Sequence, residues 1–396
     1  MNKLFFIAAL FVAGLAGIQP VKAQGGTTAG KTFKVGIFAP LYLDSVFSKG
    51  TFRYSQGIPR FIAPALEFVQ GAQIALDSLQ TNGQQVEAYI YDSKSYTKNV
   101  PYLVQNKQLD SLDLIIGSVK DAEFKQLADF SLQKNIPFIS ATYPNDAGIS
   151  NNPFLVIMNS TLKAHCEAIY SFILQNYGTD KIYLCRQKGT QEDKVAGYFK
   201  TLNEPDGKPL LNIQTLSFDG NLSAETLKSK LDSNRNSIII GASLDETFAG
   251  NLATACYTLQ EKYPMTLIGM PTWDGFASLR KKGSLDGLPI YYTAPYFNNK
   301  WDIYSRMVIN GYMKKYRTKP SDMAFKGFET TYLFTRLLLK YPDDIISQLN
   351  DKSVKVFTDY NFRPVILEKG SVVPDYFENK HLYFIKILNG VMSKAW

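Results

Sequence analysis

Histidine and cysteine are scarce: the 396 residues include His165 and His381, and Cys166, Cys185 and Cys256, with no others of either type. A zinc or iron centre of the His/Cys type needs three or four converging ligands, so none is expected. Three cysteines are too few for a disulfide scaffold. Cys185 and Cys256 read as small buried hydrophobes, and the sequence leaves open whether any pair is bridged. His165 and Cys166 are adjacent on a predicted helix and point ~100° apart, so they form no base–nucleophile pair. The hydrolase and metalloprotease motifs (G-x-S-x-G, H-E-x-x-H) are missing. S-x-x-K occurs at Ser95, Ser131, Ser160 and Ser278, without K-T-G or S-D-N, and so carries little information. The chain reads as a non-enzyme without a cofactor. Carboxylate-only hydrolysis is the form of catalysis that missing motifs do not exclude.

The chain also lacks clustered positive charge. Lys and Arg exceed Asp and Glu by 43 to 35, yet adjacent basic residues amount to Arg280-Lys281-Lys282 and Lys314-Lys315. A solvated surface explains this better than nucleic acid, which needs a basic stripe. Long apolar runs are confined to the start. Lys3 precedes an apolar or small stretch over 4–18, and Val21 and Ala23 follow it. This is the pattern of a secretory leader, 1–23, cleaved after Ala23 with no lipid-anchoring cysteine nearby. The run is short of the ~20 residues of a spanning helix. The expected location is the periplasm.

What is present is alternation. Short β-rich runs at 33–38, 86–91, 112–116 and 136–140 are separated by helical patterns at 65–79 and 122–133. The order repeats with runs at 154–158, 181–185, 211–218, 237–241 and 265–269 between helical stretches at 162–177, 193–202, 224–231 and 247–259. Two long helices are predicted at 302–316 and 325–339, and a strand at 382–388. Such alternation predicts an α/β protein of two units, each a parallel sheet flanked by helices. Open parallel sheets bind ligands beyond the carboxyl ends of their strands. The loops at 39–45, 117–121, 140–146, 186–193, 241–246 and 269–276 are therefore the candidates, and two units facing each other would enclose a cleft.

Five stretches give the order a family likeness: Val35-Gly36-Ile37-Phe38-Ala39-Pro40; the helix with Gly71-Ala72 and Ala75; Ile115-Ile116-Gly117-Ser118 followed by Ile136 to Thr142; Thr266 to Gly269 leading to Trp273-Asp274; and Tyr316, Pro320-Ser321-Asp322 with Gly327 to Tyr332. In this order they resemble the type I periplasmic solute-binding proteins, the leucine/isoleucine/valine-binding group, over nearly the whole mature chain. The resemblance implies a two-lobed Venus-flytrap fold with three hinge crossings and a lobe division of 31–155 plus 287–345 and 156–286 plus 346–396. It implies a monomer that captures a small polar solute, amino-acid-like or amide-like, for an ABC permease in the inner membrane, with no nucleic acid. Two stretches depart from the family pattern: Ser118-Val119-Lys120-Asp121, and 186–191 in the second lobe. A branched-chain amino acid therefore does not follow. A receptor-like or cell-envelope interaction protein reusing the fold is the alternative.

The candidate ligand-binding residues sit on these loops. Ser118, Ala141, Thr142 and Tyr143 offer hydroxyls and backbone N–H groups to a carboxylate or amide, with helix capping as the competing role. Lys120 suits a zwitterion or sugar. Gln187, Ser243 and Asp245 face the cleft from the second unit, although Asp245 also suits a helix start. Trp273 and Asp274 combine a platform with an acceptor, core packing being the alternative for Trp273. Tyr292 and Tyr296 line the hinge or the core. The long 44–64 segment, with Phe47, Phe52, Tyr54 and Phe61, caps the cleft or packs on the surface.

Overall fold

The computed structural model describes residues 32–55, 57–220 and 222–395; the expected leader at 1–23 lies outside the described residues. The chain begins with β1 (Phe33–Ala39), a small α1 (Leu43–Val46) and a hairpin β2 (Phe47–Ser48)–β3 (Thr51–Phe52). It continues through α2 (Ala63–Thr81), β4 (Val86–Asp92), α3 (Val100–Gln105), β5 (Leu114–Gly117), α4 (Asp121–Lys134), β6 (Phe138–Ser140) and β7 (Leu155–Ile157). Then follow α5 (Leu162–Asn176), β8 (Lys181–Arg186), α6 (Thr190–Asn203), β9 (Ile213–Ser217), α7 (Ala224–Lys228), β10 (Ser237–Gly241), α8 (Glu246–Leu259) and β11 (Met265–Gly269). After β12 (Ile290–Ala294) come α9 (Ile303–Tyr316), α10 (Asp322–Lys340), β13 (Phe362–Val365), β14 (Tyr376–Asn379), β15 (Tyr383–Leu388) and β16 (Val391–Lys394).

Among the described residues the strands form two seven-stranded sheets, ordered β13-β14-β7-β6-β5-β1-β4 and β16-β15-β12-β11-β10-β8-β9. β1, β4, β5, β6, β7 and β14 run parallel in the first. β8 to β12 run parallel in the second. Antiparallel strands cover one edge of each. The parallel strands read as continuous apolar runs because helices bury both faces. Alternate residues serve opposite faces: Val35 and Ile37 join one core cluster and Phe38 the other. The second lobe has its own core, spanning Ile238, Ile239, Ile240, Leu267 and Ile268.

The chain passes between sheets three times, after β7, after β12 and after β14. Sheet membership differs from the lobe division expected from sequence. β12, within 287–345, pairs in the second sheet, while β13 and β14, within 346–396, pair in the first. The third crossing is therefore 380–382 rather than near 346. The hydrophobic pattern of a strand says which residues are buried but not which neighbour buries them, so sequence could not assign these strands.

Helices α2 and α10 are pressed together on the first sheet. A Cβ on Gly71 would lie 1.9 Å from the Ala324 carbonyl oxygen, and one on Gly327 would lie 1.9 Å from the Phe68 oxygen. The two glycines allow this backbone approach, which fixes the N-terminal half of α10 beside the crossings. All three cysteines are buried free thiols. Burial pushes the Cys166 and Cys256 thiols up to about 12, which keeps them protonated and unreactive.

Candidate functional site

The carboxyl ends of β5 and β6 meet at Ser118 and Thr142, whose hydroxyl oxygens lie 3.1 Å apart. The strand register brings them together: Gly117 pairs with Ser140, and the Ala141 N–H donates to the Gly117 carbonyl at 2.9 Å. Asn159, on the first crossing, donates from its side-chain amide to the Thr142 carbonyl at 2.7 Å. The Tyr143 hydroxyl donates to Asp121 at 3.2 Å, and burial with the Asp121 charge raises its phenol. Lys120 extends into solvent, 3.9 Å from Asp121. The first lobe thus brings together Ser118, Ala141, Thr142 and Tyr143 as expected.

The second lobe commits its candidates to its own structure. Trp273 is fully buried, and its indole N–H donates to the Ser243 carbonyl at 3.0 Å. Its ring fills the space above Gly241 and Gly269, where an added Cβ would come within 2.4 Å and 2.1 Å of it. The expectation that Trp273 offers an open platform is corrected: the two strand-end glycines leave a slot that only a large ring fills. Ser243 is equally inaccessible, its hydroxyl donating to Glu192 at 2.7 Å. Asp245 caps α8 by accepting from the Phe248 N–H at 2.7 Å. Neither Ser243 nor Asp245 therefore acts as a free cleft contact. Gln187 is half-buried, and its carbonyl accepts from the Arg186 guanidinium at 3.1 Å. Asp274 is exposed and accepts from the Tyr292 hydroxyl at 2.7 Å. Burial and the Asp274 charge push that phenol well above its ordinary range.

At the hinge, Ala141, Asn159, Tyr296, Lys326, Thr330 and Tyr360 line a cavity with about 20 Å³ open to the centre of a water molecule. That is room for about one water. The Lys326 ammonium stands 5.7 Å from the centre of the Tyr296 ring. Burial lowers its affinity for a proton, opposed by the charges of Asp322, Asp274 and Glu329. One turn further along α10, Glu329 is fully buried. It accepts from the Phe357 and Thr358 N–H groups at 2.9 and 2.7 Å, and from the Thr358 and Tyr360 hydroxyls at 2.9 and 3.0 Å. This carboxylate holds the 357–360 loop beside the crossings. Burial raises its proton affinity and the four bonds oppose the rise.

Further bonds tie the crossings together. Ser160 donates to the Asn379 carbonyl at 2.6 Å, and the Thr161 N–H to Glu378 at 2.7 Å. Lys380 bridges Glu378 of the first lobe and Glu167 of α5 at 2.6 and 3.0 Å. The 44–64 segment is anchored at its base, where Asp92 accepts from the N–H groups of Leu41, Tyr42 and Leu43. Its aromatic rings pack on one another and remain 37–51% exposed.

Two lobes, three crossings and strand ends meeting at a hinge are accompanied by a family match: the model described as periplasmic binding protein covers residues 63–365. The chain belongs to the type I periplasmic binding protein family. Solved binding proteins share its fold. An ABC transporter substrate-binding protein from Desulfitobacterium hafniense is 12% identical, covers 92% of this chain and 100% of its own, and has a TM-score of 0.58. A branched-chain amino acid ABC transporter periplasmic ligand-binding protein from Burkholderia xenovorans LB400 is also 12% identical, with 92% and 95% covered and a TM-score of 0.57. The branched-chain amino acid substrate-binding protein LivJ from Streptococcus pneumoniae, in complex with isoleucine, is 15% identical, with 92% and 98% covered and a TM-score of 0.52. At such identities the likeness concerns the fold. No functionally curated protein matches the sequence.

Sequence reasoning missed Lys326, Asn159 and Tyr360. The one available signal was the charge pair Lys326 and Glu329 inside the otherwise uncharged stretch 323–335 of a predicted helix.

Proposed function

We propose that the protein is an exported solute-binding protein that holds a small polar solute between its lobes and delivers it, as a monomer, to an ABC permease of the inner membrane. The observation that carries this reading is the Ser118–Thr142 hydroxyl pair at adjacent strand ends, next to the three crossings. These hydroxyls and the neighbouring backbone suit a carboxylate or amide. The fold shared with amino-acid binding proteins supports a solute of that size. Among the described residues no helix is long and apolar enough to cross a membrane, which accords with export through a cleaved leader. Closure on the solute would stabilise the liganded form. A thermal-shift screen over amino acids, amides, organic acids and sugars tests this. A solute at 100 times its Kd stabilises by about 2.7 kcal/mol and raises Tm by several degrees. No shift from any of them overturns the reading.

A receptor-like envelope role is the second reading, favoured by the exposed rings of Phe47, Phe52, Tyr54 and Phe61. It predicts crosslinking of this segment to an envelope protein and no solute response.

A further inference from the structure

Charges near the cleft do not balance locally. Among the described residues, the carboxylates whose charges act on Lys326 already have partners. Asp322 is paired with Lys300 at 2.8 Å, Asp121 accepts from Tyr143, and Glu329 accepts four hydrogen bonds. Asp274 accepts from Tyr292. Cations at or after the strand ends of β4 and β8 are paired as well: Lys188 with Asp219, Arg186 with Asp193, and Lys94 with Glu123. Lys326 differs. Its side chain lines the cavity, and its one close partner among the described residues is the face of the Tyr296 ring. A partly buried ammonium left without a hydrogen-bonding anion is costly. The site recovers that cost when a ligand brings the counter-charge.

We infer that Lys326 is the anion-recognition residue of the cleft, and that the solute is a carboxylate anion without a neighbouring ammonium group. The inference rests on the solute-binding reading above and narrows its substrate class. A carboxylate lying over Ala141 would take hydrogen bonds from the Ser118 and Thr142 side on one oxygen and a charge-assisted bond from Lys326 on the other. A neutral amide would leave the ammonium unpaired. A zwitterion would need a carboxylate for its own ammonium, and Asp274 is the group that could turn to supply it. The position of Lys326 is fixed from below: Gly327 sits against the Phe68 carbonyl and Glu329 is anchored to the 357–360 loop.

The test uses the full-length mature protein and solutes matched in carbon skeleton: 4-methylpentanoate, 4-methylpentanamide and leucine, with corresponding trios on propyl and phenylethyl skeletons. Affinities come from calorimetric titration of wild type, Lys326→Met, Lys326→Arg and Asp274→Asn. The expected result is that, in at least one trio, the carboxylate binds about 10-fold or more tightly than its amide and its amino acid. A hydrogen bond to a charged group is worth a factor of about 10 to 100. Lys326→Met abolishes that preference and Lys326→Arg keeps part of it. The inference is overturned if the amide or the amino acid binds as well as the acid, if Lys326→Met retains the preference, or if leucine binds and Asp274→Asn weakens it. If these trios and the broad solute screen all give no binding, the solute-binding reading itself fails and the inference falls with it. Binding confined to amides or amino acids upholds that reading and overturns this one.

Discussion

The hydroxyls of Ser118 and Thr142 face one another at 3.1 Å across the ends of two hydrogen-bonded strands. The pair is partly buried, and its members hydrogen-bond each other. A ligand acceptor that inserts here exchanges one hydrogen bond for another and gains the orientation set by the strands. Thr142→Ala is expected to weaken solute binding about 10-fold, one hydrogen bond's worth of free energy. The unliganded Tm should move by no more than a few degrees, and titration calorimetry with differential scanning separates the two effects.

Gly327 lets α10 lie against α2. A methyl group there would meet the Phe68 carbonyl oxygen at 1.9 Å, a backbone atom that cannot turn aside. Gly327→Ala is expected to cost about 1–3 kcal/mol, the range for overpacked cores, and to shift Lys326 in the cavity. Urea unfolding measures the first effect and solute titration the second. Gly197→Ala, at a helix position with open space around it, is the control and should be neutral or slightly stabilising.

Trp273 is a packing residue. Its ring fills the slot over Gly241 and Gly269 and its N–H is bonded to the Ser243 carbonyl. Trp273→Ala is expected to cost about 3–5 kcal/mol, read as a fall in the denaturation midpoint. Trp273→Phe should retain folding and solute affinity at a smaller cost. A variant that folds like wild type yet loses solute would return Trp273 to the binding surface.

His165 gives the stability an acid limb. It is buried on α5, with Nδ1 2.7 Å from the Thr293 hydroxyl, and burial lowers its pKa to about 3. Unfolded, it titrates near 6.5. As pH falls below 6.5 the unfolded chain takes up the proton first, so stability drops by up to about 1.4 kcal/mol per pH unit toward pH 3. Above 6.5 the residue contributes no slope. The acid limb of His165→Gln should be shallower by that amount, with the carboxylate contributions common to both proteins. Equal slopes would show that His165 is not held neutral.

The alternation of strands and helices was legible because parallel strands buried on both faces leave unbroken apolar runs. The helix at 65–79 emerged as α2 and the run at 237–241 as β10. The exchange of C-terminal strands was not legible, because β12 and β14 look alike in pattern and differ only in which sheet they join. At the site, Ser118 and Thr142 were readable from their places at strand ends. Trp273 misled because a tryptophan beside a strand-end loop serves a ligand or a slot equally well, and the slot depends on Gly241 and Gly269 being brought side by side. Asp245 misled for a simpler reason: a helix start and a ligand contact ask for the same side chain. Lys326 stayed hidden because its lack of a directly bonded carboxylate is a property of three-dimensional packing.

The central claim is that the two lobes close on a solute. Spin labels on Thr97→Cys, in the loop after β4, and Glu225→Cys, in the first turn of α7, report this directly. Both positions are exposed and lie on opposite lobes, while the three native thiols are buried and resist labelling. With the solute that raises Tm most at saturation, the distance distribution between the labels should shift to shorter values and narrow. An unchanged distribution under saturating solute would contradict the account.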